Sequence, residues 1–103
     1  MELFKNLIYE YKKGMRDLSL YTCETKDIND YINLLQQLKI AYTRIDLKDN
    51  KTNIFFGNQD CLEILKHFSS KNLDELSPQE DFILGIMLGY SRNEQYNRIL
   101  SKI

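Results

Sequence analysis

A chain of 103 residues with 43% hydrophobic and 28% charged side chains has the size and composition of one globular domain, which excludes a disordered chain. The formal charge of −1 provides no overall basic field and so argues against general nucleic-acid binding. Two cysteines and one histidine are too few for a disulfide framework, a zinc knuckle or a histidine-rich metal site.

Leu3, Phe4, Leu7, Ile8, Tyr11 and Met15 recur at helical spacing, with Glu2, Lys5, Asn6, Glu10, Lys12 and Lys13 opposite. The pattern predicts an amphipathic helix, and Gly14 stands where a left-handed C-terminal cap falls. Asp17–Cys23 alternates and predicts a strand. Leu18, Leu20 and Thr22 take one side, and Ser19, Tyr21 and Cys23 the other. Helical spacing returns over Asp27–Leu38, with Thr25 or Asp27 available as the cap. Strands are expected at Ala41–Leu47 and Thr52–Gly57, joined by a turn over Lys48–Lys51 that contains Asp49-Asn50. Asn58 caps a helix running to about Phe68, with Leu62, Ile64, Leu65 and Phe68 at least partly buried. After the polar stretch Ser69–Leu76, Ser77, Pro78 and Glu80 form a capping box with proline at the first helical position. The helix that follows, Pro78–Leu88, is so apolar from Phe82 onward that it belongs at the centre of the core, and Gly89 ends it. Ser91 and Glu94 form a second box, opening a last helix whose apolar face is Tyr96, Ile99, Leu100 and Ile103.

The element order is α-β-α-β-β-α-α-α in a single α+β domain, residues 1–103. Its middle part, β-α-β-β-α over Asp17–Phe68, is the ferredoxin-like order lacking the last strand. That order implies a three-stranded antiparallel sheet of strand order 1-3-2, with additional N- and C-terminal helices. Leu18, Leu20, Ile45, Leu47, Ile54 and Phe56 would face the two sandwiching helices. Tyr21, Cys23, Tyr42, Arg44, Asn53 and Phe55 would form the second face, covered wholly or in part by the surplus helices. The longest apolar stretch, Phe82–Tyr90, is far short of a membrane span, and the first residues lack a secretory pattern. Free thiols and no leader point to a reduced cytoplasmic setting.

The residues that carry chemistry elsewhere are sparse here. His67, late in a helix beside Lys66, reads as a surface histidine without a task. Cys61 lies near a helix start, where a thiolate is favoured, but followed by Leu62 it reads as a packed, inert side chain. Cys23 and Cys61 fall at opposite ends of the proposed sheet, too far apart to bridge. Gly57-Asn58-Gln59-Asp60 lacks a phosphate-loop lysine and reads as a plain cap. Of the acidic set Asp74, Glu75, Glu80 and Asp81, Glu80 and Asp81 are explained by the cap and helix dipole, and nothing positions a substrate near the set as a catalytic pair would. Gly85 and Gly89 read as a site of close backbone approach rather than a dimer seam. Lys12, Lys13 and Arg16 surround Gly14 with no acid among them and form the strongest partner-binding candidate. Tyr21, Tyr42, Arg44 and Phe55 form a candidate ligand face. The glycine- and aromatic-rich signature of RNA-binding sheets is absent.

Three stretches, IYEYKKGMRDLSLYT (Ile8–Thr22), NIFFGNQDCLEIL (Asn53–Leu65) and LSPQEDFILGIMLGYS (Leu76–Ser91), together resemble a small bacterial family of similar length whose domain has no assigned function. The resemblance covers nearly the whole chain. It implies a compact prokaryotic cytoplasmic protein without an assigned activity, encoded beside a flavodoxin. Members of the family carry histidines just ahead of IYEYKKG. Lys5-Asn6-Leu7 stands there in this chain, so no metal or proton role carries over. The reading that follows is a non-enzymatic interaction or accessory module. It docks a flavodoxin or other acidic protein through Lys12, Lys13 and Arg16 and uses no cofactor, nucleic acid or membrane. The alternative is a small-molecule-binding regulatory domain, homodimeric, using the second sheet face. A thiol enzyme built on Cys61 is the third and weakest class, since no base accompanies it.

Overall fold

Hydrophobic period and capping chemistry set the elements along the chain, and the computed structural model describes residues 1–103. In order these are α1 (Glu2–Lys12), β1 (Leu18–Glu24), α2 (Ile28–Gln37), β2 (Ala41–Asp46), β3 (Lys51–Gly57), α3 (Gln59–Lys66), α4 (Pro78–Met87) and α5 (Arg92–Lys102). Single-turn 3-10 segments occupy Thr25–Asp27 and Leu73–Glu75. Gly14 closes α1 in the left-handed conformation, with φ of 75°. Asp49 and Asn50 both take positive φ, at 63° and 59°, and fold the β2–β3 hairpin as their short polar side chains permit. Asn58 caps α3 by accepting from the Asp60 N–H. Ser77 and Glu80 complete the reciprocal capping box of α4. The α2 start differs from expectation. Neither Thr25 nor Asp27 makes a side-chain cap, because the Thr25 hydroxyl is turned to Thr52, 2.7 Å away.

The three strands form one antiparallel sheet of order β1-β3-β2, as expected. Its faces differ from the sequence reading in the phase of β3. Leu20 stands opposite Phe55, and Tyr21 opposite Ile54; Tyr42 and Arg44 stand opposite Phe56 and Ile54. Directly opposed residues share a face. Phe55 and Asn53 therefore lie with Leu18 and Leu20, while Ile54 and Phe56 lie with Tyr21 and Tyr42. The physical reason is that β3 is central and buried on both faces: Ile54, Phe55 and Phe56 are all fully buried. A strand apolar on both sides has no alternation from which to read its phase.

The two central helices also separate. One core joins α1 and α2 to the sheet through Phe4, Ile8, Ile28, Leu35, Ile54 and Phe56. The other joins α3 and α4 to the opposite face through Leu18, Phe55, Cys61, Leu62, Leu84 and Leu88. The sheet is thus the middle of three layers, with α2 and α3 on opposite sides, and helices cover both faces.

The last two helices pack through a notch. A Cβ at Gly85 would collide with the Gln95 side chain, so glycine lets α5 lie close against α4. Gln95, 3% exposed, is the buried residue of α5, whereas the expected stripe Tyr96, Leu100 and Ile103 stays largely in solvent. Asp81 fixes this rotation by holding Arg98 at 2.8 and 3.1 Å and Lys102 at 3.1 Å. Leu84, Met87 and Leu88 of the α4 region are buried as expected. Ile83 and Ile86 on its outer side remain 39% and 38% exposed.

Candidate functional site

The end of α1 gathers the cations singled out in the sequence, but not all remain free. Lys12 and Lys13 are exposed, beside the last carbonyls of the helix, where positive charge suits the dipole. The Lys13 ammonium lies 5.5 Å from the centre of the Tyr9 ring. Arg16 is drawn away. The turn at Gly14 folds it back so that its guanidinium meets Glu10 at 3.3 Å, leaving the side chain 23% exposed. Its Cβ faces Gly89 at the end of α4, and its Nε is buried without a hydrogen-bond partner. The expected triad is therefore two free lysines plus one paired, half-buried arginine. Lys5 joins them from the outer side of the helix, at helical spacing from Tyr9 and Lys12. None of Lys5, Lys12 and Lys13 has a carboxylate within 4 Å, whereas Lys26, Lys51, Lys66 and Lys102 all do. Tyr9 and Met15 are exposed beside them.

Tyr21, Tyr42, Arg44 and Phe55 do not make one surface. Phe55 is fully buried on the other side of the sheet. Tyr21 lies under α1 and α2, edge-on to Phe4 with ring centres 5.2 Å apart. Its hydroxyl is 3.4 Å from that of Tyr31, and this contact pushes the Tyr31 phenol up to about 12. The Tyr42 hydroxyl accepts from Gln36 at 3.1 Å, and Arg44 holds Asp46 at 2.8 Å. A sheet face open for bases or ligands to stack on does not exist, because α1 fills it.

The remaining candidates are structural. Cys61 is buried, and burial pushes its thiol up, against the pull of the helix start. Cys23 and Cys61 are free thiols packed into opposite cores. His67 is exposed at the end of α3, 3.9 Å from Glu63. Glu80 accepts from the Ser69 N–H and hydroxyl at 2.6 and 2.7 Å and from the Ser77 N–H at 2.9 Å. These donors, Ser77 foremost, hold its carboxyl down at about 2. Asp81 is held low by Arg98 and Lys102.

Sequence reasoning missed a concavity of about 240 Å³ on the Phe55 side of the sheet, between β2, α3 and the connection to α4. Ile45, Phe55, Leu62 and Leu65 are among its lining residues, together with Lys66 and Lys71. The one local hint is the run Lys66–Lys71, which carries a cation at each end and no acid between.

No helix is long and apolar enough to cross a membrane, and no three His, Cys, Asp or Glu side chains gather to hold a metal ion. A family model described as a protein of unknown function, DUF2023, matches residues 2–102. No curated protein matches the chain.

Proposed function

The chain belongs to the DUF2023 family, and on that premise we propose that it is a non-enzymatic interaction module that docks an acidic protein through the outer side of α1. One observation carries the reading: Lys5, Lys12 and Lys13 are exposed around Tyr9 with no carboxylate paired to any of them. Unpaired cations at one place on a chain of net charge −1 create a local field that steers an oppositely charged surface. Tyr9 and Met15 supply apolar area for contact once steering has occurred. A flavodoxin-type carrier, acidic and cytoplasmic, is the partner that the family resemblance implies. The reading assigns no reaction to the chain. Arg16, already paired, contributes less than the lysines. The test is Lys12→Glu with Lys13→Glu, titrated calorimetrically against an acidic flavodoxin at low salt. Roughly tenfold weaker binding is expected, with the wild-type affinity itself falling as salt rises. Equal affinity of the variant and wild type would remove α1 from the interface.

A second reading concerns self-association. A helix apolar from Phe82 onward belongs in an interior, yet Ile83 and Ile86 of α4 stand open, as do Tyr96, Leu100 and Ile103 of α5, which packs against it. A second copy of the chain laid on this side would cover them. Sedimentation equilibrium tests it: a dimer that Ile86→Glu dissociates supports the reading, and a monomer at every concentration ends it.

A further inference from the structure

The concavity on the Phe55 side combines two properties that composition does not account for. Its interior is apolar, formed by Ile45, Phe55, Leu62 and Leu65, with Phe68 and Leu73 completing it. Its charged lining residues are Lys66 and Lys71, together with Arg44, whose side chain belongs to the opposite face of the sheet beside Ile54, and no carboxylate lines it. The whole chain has 15 acidic and 14 basic side chains, so an all-cationic lining is a local bias. Of the two lysines, Lys66 holds an acid that lies outside the concavity, Glu63 at 3.2 Å. That pair is exposed, and such pairs are weak enough to exchange. Lys71 has no ion pair. Glu75, four residues on, accepts instead from the Ser70 hydroxyl at 3.1 Å. At about 240 Å³ the space is below the ~300–1,000 Å³ of sites for drug-sized ligands, so its occupant is compact.

We propose that this concavity is a binding site for a small amphipathic carboxylate, with the apolar body on Ile45, Leu65 and Phe68, whose side chains stay partly open, and the anionic group at Lys71 and Lys66. The apolar part leaves water on a floor that is already formed, and the carboxylate meets ammonium groups held at the mouth. Lysine suits this place because its aliphatic stem extends the apolar wall while its charge stays in solvent. The site lies across the sheet from α1, so it stands or falls independently of the docking surface.

Octanoate is the probe, titrated into the ¹⁵N-labelled full chain and followed by amide chemical shifts. Saturable shifts confined to the amides of Ile45, Leu62, Leu65, Lys66 and Lys71 and their neighbours are expected. Octan-1-ol, which has the same body and no charge, is expected to bind more weakly. Lys66→Gln with Lys71→Gln should weaken octanoate roughly fivefold and leave octanol unchanged. Both lysines are solvent-facing, so the variant should keep the wild-type melting temperature, which verifies its fold. Equal affinity for octanoate and octanol, a variant that binds octanoate as wild type does, or shifts located elsewhere would each overturn the assignment.

Discussion

Glu80 shows how much a single side chain can hold. Its carboxylate accepts from Ser77, at the start of its own helix, and from Ser69, beyond the end of α3. One residue therefore both caps α4 and fastens the connection that leads into it. Because its folded carboxyl sits at about 2, below the ordinary 4.5 of a glutamate, its contribution to stability is present above about pH 4.5. That contribution disappears as pH falls toward 2. Melting temperatures measured across this range should drop in the wild type and drop less steeply in Glu80→Ala, which starts lower at neutral pH. The thiols make a second test at this scale. Burial disfavours both thiolates, so iodoacetamide should modify Cys23 and Cys61 of the folded protein more slowly than a free model thiol at neutral pH, and at the ordinary rate in denaturant. The capping role of Glu80 is legible in Ser77-Pro78-Gln79-Glu80, because a capping box is a local pattern. Its bonds to Ser69, eleven residues back, are not. The fate of Arg16 is hidden in the same way, since Glu10 reaches it only after the turn at Gly14.

Among the elements, α5 depends on a narrow fit. Gln95 occupies the space where any side chain at Gly85 would sit. Gly85→Ala should therefore cost about 1–3 kcal/mol by overpacking, measured by urea unfolding, and Gln95→Ala in the same chain should recover part of it. Loss of the two-pronged Arg98 contact, by Asp81→Asn, should loosen α5 by about 1 kcal/mol while leaving the sheet signals in the amide spectrum unmoved. Helix and strand positions were readable because period, caps and breakers are properties of adjacent residues. The phase of β3 was not, since Ile54, Phe55 and Phe56 are equally apolar. Nor was the rotation of α5: Tyr96, Leu100 and Ile103 look like a core stripe, and only the notch at Gly85 and the grip of Asp81 turn Gln95 inward instead.

On the scale of the whole molecule, the strand order followed from the chain order, but the allocation of helices to faces did not. The β-α-β-β-α order is compatible with α2 and α3 on one side or on both. What decides is α1, which brings Phe4 onto the Tyr21 face and makes a complete core there with α2. That is also why the proposed ligand face does not exist and why the one apolar concavity with a cationic lining appears on the other side. Phe4 is fully buried and touches the rings of Tyr21, Tyr31 and Phe56. Phe4→Ala should lower unfolding free energy by about 3–5 kcal/mol, read by denaturant titration.

The position of β3 between two separate cores also sets a time order for the backbone. Amide protons in β3 are bonded to strands on both sides and covered above and below. When α5 detaches, or α4 with it, the α1–α2 layer still closes over Ile54 and Phe56. When α1 frays, the α3–α4 layer still closes over Phe55. Deuterium should accordingly enter the outer helices through partial openings, at rates that differ from one layer to the other. It should enter β3 only when the entire chain unfolds, so that the slowest amides measure the global stability.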